Sequence, residues 1–142
     1  MSESNHEVFV RTCCSAFRRL VDEYGFAEPV IEPLGRETFV RYLKGSREVS
    51  IAYEPGLRPI VELFYPSSET GERPIPWAER KGVQRTRRIP RLQVAERFKD
   101  KDSASFARYL EASAGALERE ERAFLESSGG DEVNRSIHAR DA

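Results

Sequence analysis

Histidine is nearly missing from this chain of 142 residues, which contains only His6 and His138. Between them there is no imidazole to serve as a general base near neutral pH. Cysteine is as scarce: Cys13 and Cys14 are the only two, and they are adjacent. Neighbouring cysteines on a helix point in different directions and do not form an unstrained bridge. No CxxC or Cys/His spacing exists to hold zinc, so no metal or other cofactor is expected. The serine-hydrolase GxSxG, the zincin HExxH, the P-loop and the dinucleotide GxGxxG are all missing, and the expectation is a protein that is not an enzyme. No run of about 18 apolar residues occurs, which excludes a membrane-spanning helix. The opening MSESNHEVFV lacks a basic region followed by an apolar stretch, so no signal peptide is read. A cytoplasmic protein with reduced thiols is expected. The two cysteines read as small core-facing residues, with a redox pair as the alternative.

A net charge of −1, from 23 basic and 24 acidic residues, hides a segregation. Residues 1–79 carry 9 basic and 13 acidic groups, residues 80–101 carry 9 and 2, and residues 102–142 carry 5 and 9. The chain therefore reads −4, +7, −4. The length suits one domain, expected over residues 1–126, with residues 127–142 as a polar, disordered tail.

Apolar spacing gives the elements. Phe9, Cys13, Phe17, Leu20, Val21 and Tyr24 recur at intervals of three and four, predicting a helix over residues 5–24 that Gly25 caps. Residues 29–34 form a weak edge strand because they contain two prolines. Residues 37–44 and 47–53 form a hairpin about Gly45-Ser46, and residues 59–65 form a further strand. That register sets Tyr42 opposite Val49, Val40 opposite Ile51 and Thr38 opposite Tyr53. Centring the next turn on Gly56 sets Val61 by Ile51 and Leu63 by Val49. One face then collects these residues and Tyr65, while the other carries Phe39, Arg41, Leu43, Ser50, Ala52, Glu62 and Phe64. The second face is too apolar to be fully solvated, and either the carboxy-terminal helices or a partner is expected to cover part of it. Residues 92–98 suit a short helix slightly better than a strand. Asp102 or Ser103 caps the last helix, which runs to about Glu126, with Phe106, Leu110, Ala114, Leu117, Glu121 and Phe124 on one line. The fold class is α+β: an antiparallel meander of three to four strands, an amino-terminal helix on one face and carboxy-terminal helices completing the core.

The basic stretch is the sharpest candidate site. Arg80, Lys81, Arg85, Arg87, Arg88 and Arg91 fall within 12 residues, with no acid between Glu79 and Glu96. Clustered guanidinium groups suit phosphates, and Trp77 nearby suits base stacking. The competing reading pairs the stretch with the chain's own acids, such as Glu118, Glu120, Glu121 and Glu126, or with an acidic protein partner. Overall neutrality favours the second reading. Arg41, Ser50 and Glu62 form one row on the second face, either a polar ligand site or a cross-strand ion pair. Tyr42, Tyr53 and Tyr65 read as core rather than pocket. Glu54 and Arg58 flank a turn and are expected to close it.

Three segments together resemble a group of small bacterial proteins of unknown or toxin-immunity type. They are DEYGF at 22–26, FVRYLKGSREVSIAYEPGLRPIVELFY at 39–65 and SFARYLEASAGALEREERAFL at 105–125. In that group a helix, a meander of strands with a tyrosine ending one of them, and terminal helices recur. The resemblance implies action by binding, as toxin antidotes act, and carries over no functional residue; the basic stretch lies outside its pattern. The reading is a binding protein that inhibits or neutralises a protein partner, with nucleic-acid association through residues 80–101 as the alternative. The sequence does not indicate an oligomeric state.

Overall fold

A computed structural model describes residues 4–69, 71–100 and 102–127. Its first helix, α1 (Asn5–Ala16), begins with a reciprocal cap in which the Ser4 hydroxyl accepts from the Glu7 N–H. The single helix expected over 5–24 is in fact two. Phe17 leaves helical geometry, and α2 (Arg18–Asp22) restarts from a tight turn in which Leu20 N–H donates to the Phe17 carbonyl at 3.0 Å. A three-residue turn eclipses positions i and i+3, which keeps both Phe17 and Leu20 buried. Gly25 takes a left-handed φ of 81°, and Phe26 N–H reaches back to the Leu20 carbonyl at 3.0 Å.

Five strands follow in an antiparallel sheet of order β1-β2-β3-β4-β5: β1 (Val30–Leu34), β2 (Glu37–Lys44), β3 (Arg47–Tyr53), β4 (Ile60–Pro66) and β5 (Arg85–Arg88). The register matches the expectation: Thr38↔Tyr53, Val40↔Ile51 and Tyr42↔Val49, then Val61↔Ile51 and Leu63↔Val49. β1 is an edge, as Pro33 requires. In a two-residue hairpin the closing pair, here Leu34↔Glu37, is hydrogen-bonded, so alternation turns the nitrogen of Pro33 away from β2 and no ladder bond is lost.

The difference from three or four strands is β5, cut from the basic stretch. Its sequence RTRR has no apolar alternation, and a hydrophobic pattern cannot reveal it. Helix α3 (Ser103–Glu120) is capped by Asp102, whose carboxylate accepts from Ala104 and Ser105 N–H. The line of apolar residues breaks at Glu121, its one polar member, and α4 (Arg122–Glu126) follows. The expected helix over 92–98 does not form. Phe98 instead sets its ring edge-on to Phe106 at 4.9 Å and Tyr109 at 5.5 Å.

Both sets of helices lie on one face of the sheet. Phe9 stacks on Tyr53 from α1 and Phe106 meets the same ring edge-on from α3, each with 5.2 Å between centroids. Val40, Tyr42, Val49, Ile51, Tyr53 and Leu63 are almost wholly buried beneath them, so the three tyrosines are core. Asp100 accepts from the Tyr53 hydroxyl at 2.6 Å and Gly56 N–H at 2.7 Å. The carboxy-terminal helices therefore do not cover the second face. The tail expected over 127–142 lies outside the described residues apart from Ser127, and His138 lies outside them with it.

Burial raises the phenol pKa of both Tyr42 and Tyr53; the charges of Cys13 and Cys14 add at Tyr42, and the Asp100 hydrogen bond and charge add at Tyr53. Below the ordinary value of 10.0 both phenols are neutral, folded or unfolded. Above it the unfolded chain loses these protons first, so stability falls as pH rises. Urea melts from pH 9 upward are expected to show a decline of up to about 1.4 kcal/mol per pH unit for each tyrosine. Replacing both by Phe should flatten it, and an unchanged slope would assign the alkaline transition to other groups.

Candidate partner-binding face

A strand's period of two deals the basic stretch to opposite sides of the sheet. Arg85 and Arg87 fall on the second face beside Pro66 and Phe64, while Thr86 and Arg88 fall on the helix side beside Tyr65 and Leu63. Each arginine meets an acid there. Arg85 Nη1 lies 3.1 Å from Glu48, Arg87 Nη1 lies 3.0 Å from Glu62, and Arg88 grips Glu121 with both terminal nitrogens at 3.0 and 2.6 Å. Of the acids expected to answer the stretch, Glu121 does so. Glu118 binds Arg19, and Glu120 accepts from the Gln93 N–H. The sheet acids Glu48 and Glu62 do the rest.

The centre of the second face is a chain of alternating charge across the sheet. Glu32 of β1 binds Arg41 of β2 at 3.0 Å, Arg41 binds Glu48 of β3 at 2.9 Å, and Glu48 binds Arg85 of β5. Ser50 donates to Glu48 and accepts from Arg41 at 3.2 Å. The row Arg41, Ser50 and Glu62 does align in register, but its charges are engaged separately, Arg41 by Glu32 and Glu48 and Glu62 by Arg87. Glu48 is the member that the sequence reading missed. It stands beside an arginine in an unbroken strand, and only the fold shows that its side chain is 3% exposed.

The two guanidinium groups respond differently. Burial works against the Arg41 charge, but hydrogen bonds and charge from Glu48 and then Glu32 outweigh it, and its pKa ends above the ordinary value. Burial dominates at Arg85 and lowers its pKa; Glu48 offsets part of this, while the like charges of Arg80 and Arg41 add to it.

This chain of charges holds an aromatic in place. Arg85 also donates through Nε to the Ala78 carbonyl and lies 4.9 Å over the Phe64 ring. Ala78 ends a single helical turn (Pro76–Ala78) started by Pro76. Trp77 in that turn meets Phe64 edge-on at 5.9 Å, with the Arg87 guanidinium 5.2 Å from its ring centroid. It remains 63% exposed, more than any other large apolar side chain described. A tight turn follows in which Arg80 and Val83 exchange both backbone hydrogen bonds, at 3.1 and 2.9 Å. Lys81 and Gly82 at its tip both have positive φ, 52° and 78°, the geometry of a two-residue hairpin turn. Neither Arg80 nor Lys81 has an ion pair among the described residues. Arg91 lies apart from them, beyond β5.

Cys13 is buried, with its thiol pKa raised chiefly by burial, and Cys14 is partly buried. Among the described residues no group of three His, Cys, Asp or Glu side chains could hold a metal ion, and no helix is long and apolar enough to cross a membrane. No family model, curated protein or solved structure matches the chain.

Proposed function

We propose that the chain is a non-enzymatic binding protein of the cytoplasm that docks an acidic protein partner on the second sheet face and neutralises it, in the manner of immunity proteins. The observation that carries this reading is Trp77: a large ring, 63% exposed, yet braced by Phe64, Arg87 and the Ala78–Arg85 hydrogen bond. Such a pre-positioned aromatic suits an interface anchor, because little side-chain entropy is lost when a partner closes over it. Arg80 and Lys81 beside it supply electrostatic preference for an acidic surface. Nucleic-acid association is the weaker reading, since Arg85, Arg87 and Arg88 already face carboxylates and a phosphate would have to displace them.

Capture from a lysate of the native host, using the full chain and its Trp77→Ala and Arg80→Ala/Lys81→Ala variants, tests the proposal. The expected result is an acidic protein retained by the full chain and reduced about tenfold or more by Trp77→Ala, with thermal unfolding little changed. Equal recovery by all three chains would overturn the proposal. Salt-sensitive binding of a nonspecific DNA duplex with no protein retained would favour the alternative.

A further inference from the structure

β5 pairs only with residues 63–66 of β4, so among the described residues Ile60, Val61 and Glu62 have no strand on that side. Past Arg88 the chain leaves the sheet at Ile89 and Pro90, and residues 89–98 adopt no regular structure. The Gln93 N–H donates to Glu120 at 2.9 Å, tying this segment to α3. Between the segment, the start of β4 and α3 lies a cleft of about 380 Å³, toward the low end of the roughly 300–1,000 Å³ of small-molecule sites.

The cleft's lining combines apolar and basic side chains. Val61, Ile89, Leu92 and Val94 line it, and among the described residues no acidic side chain does. Arg58 and Arg91 also line it. Both are exposed, and neither makes an ion pair or hydrogen bond among the described residues. Glu54 closes its turn as expected, through its backbone carbonyl, which accepts from Leu57 N–H at 3.0 Å, while its carboxylate lies 4.0 Å from Arg36 and Arg58 takes no part. The Tyr109 hydroxyl, on the α3 side of the cleft, likewise has no hydrogen-bond partner among the described residues.

We propose that this cleft binds a small amphipathic carboxylate, its head between Arg58 and Arg91 and its hydrocarbon chain along Val61, Ile89, Leu92 and Val94. Two guanidinium groups that meet no acid among the described residues suit one carboxylate, which each can receive through paired N–H donors. The apolar lining suits a chain of several methylenes, where burial is favourable. The site is separate from Trp77 and independent of the docking reading.

Calorimetric titration of the full chain with sodium decanoate tests this, with acetate supplying the charge alone and 1-decanol the chain alone. The expected result is saturable binding of decanoate at one site, weaker by roughly tenfold or more for decanol and undetectable for acetate. Arg58→Ala/Arg91→Ala should weaken decanoate by a similar factor, and Ile89→Asp should also weaken it. These three side chains are exposed, so thermal unfolding should hold nearly constant, and Trp77→Ala should bind decanoate as the unaltered chain does. Equal affinity in the double variant, equal affinity for decanol, or no saturable binding at millimolar decanoate would overturn the proposal. Saturable binding of an acidic, leucine-containing peptide in place of decanoate would overturn it in favour of a peptide groove.

Discussion

Glu48→Ala is expected to cost the fold about 3–5 kcal/mol, the range for removing one partner from a buried ion pair. The carboxylate is 3% exposed and sits between Arg41, whose side chain is 22% exposed, and Arg85, whose side chain is 7% exposed. Taking it away leaves the Arg85 charge desolvated and without an ion-pair partner among the described residues, while Arg41 keeps Glu32. The loss therefore falls mainly on Arg85, whose pKa burial already lowers. Urea denaturation at neutral pH measures it, and a loss below about 1 kcal/mol would mean that water or rearrangement reaches Arg85. Replacing Glu48 and Arg85 together by leucine should recover much of the loss, because a well-packed apolar substitute avoids desolvating either charge. The double replacement also removes the hydrogen bond from Arg85 to the Ala78 carbonyl, which braces the Trp77 turn. Stability should return while partner capture does not, separating the role of the ion pair in the fold from its role in positioning Trp77.

Phe106→Ala is expected to destabilise by about 3–5 kcal/mol, as large-to-small changes of buried phenylalanine do. The ring is fully buried and joins three parts of the molecule. From α3 it meets Tyr53 of the sheet at 5.2 Å and Phe98 of the irregular segment at 4.9 Å, while Tyr53 in turn stacks on Phe9 of α1. A void there faces the sheet, α1 and the irregular segment, which Asp100 ties together through Tyr53, Gly56 and Asn5, so the walls cannot collapse freely. Thermal unfolding should fall by roughly 10–20 °C, and Phe106→Leu should recover more than half of the loss. A drop of only a few degrees for the alanine variant would show that the void fills by relaxation.

The hairpins and the core face were legible in the sequence because they depend on local rules. Gly45-Ser46 fixed the turn, the turn fixed the register, and the period of two then assigned residues 38–43 and 49–53 to their faces. The Asp102 cap and the left-handed Gly25 follow from the same short-range chemistry. The break at Phe17 was not legible, since the apolar stripe runs across it, and at Glu121 a single polar position on the line did not by itself mark a break. Each serves a contact made far along the chain: burial beneath the sheet for Phe17 and the Arg88 ion pair for Glu121.

The candidate site divides in the same way. Trp77 and the run from Arg80 to Arg91 could be picked out by composition alone, because clustering along a chain is a property of the sequence. What each charge faces is not. Composition determined that the positive block lies between two acidic regions and that the whole is close to neutral. The tertiary structure decided that residues 85–88 pair with β4, which sends two arginines to one face and one to the other, and which acid each one meets. It also decided that Glu48 would be buried between Arg41 and Arg85 and that Arg58 and Arg91, 33 positions apart, would share a cleft. Charge along the chain is additive and can be counted, whereas pairing depends on distance and burial, which only the packed fold supplies.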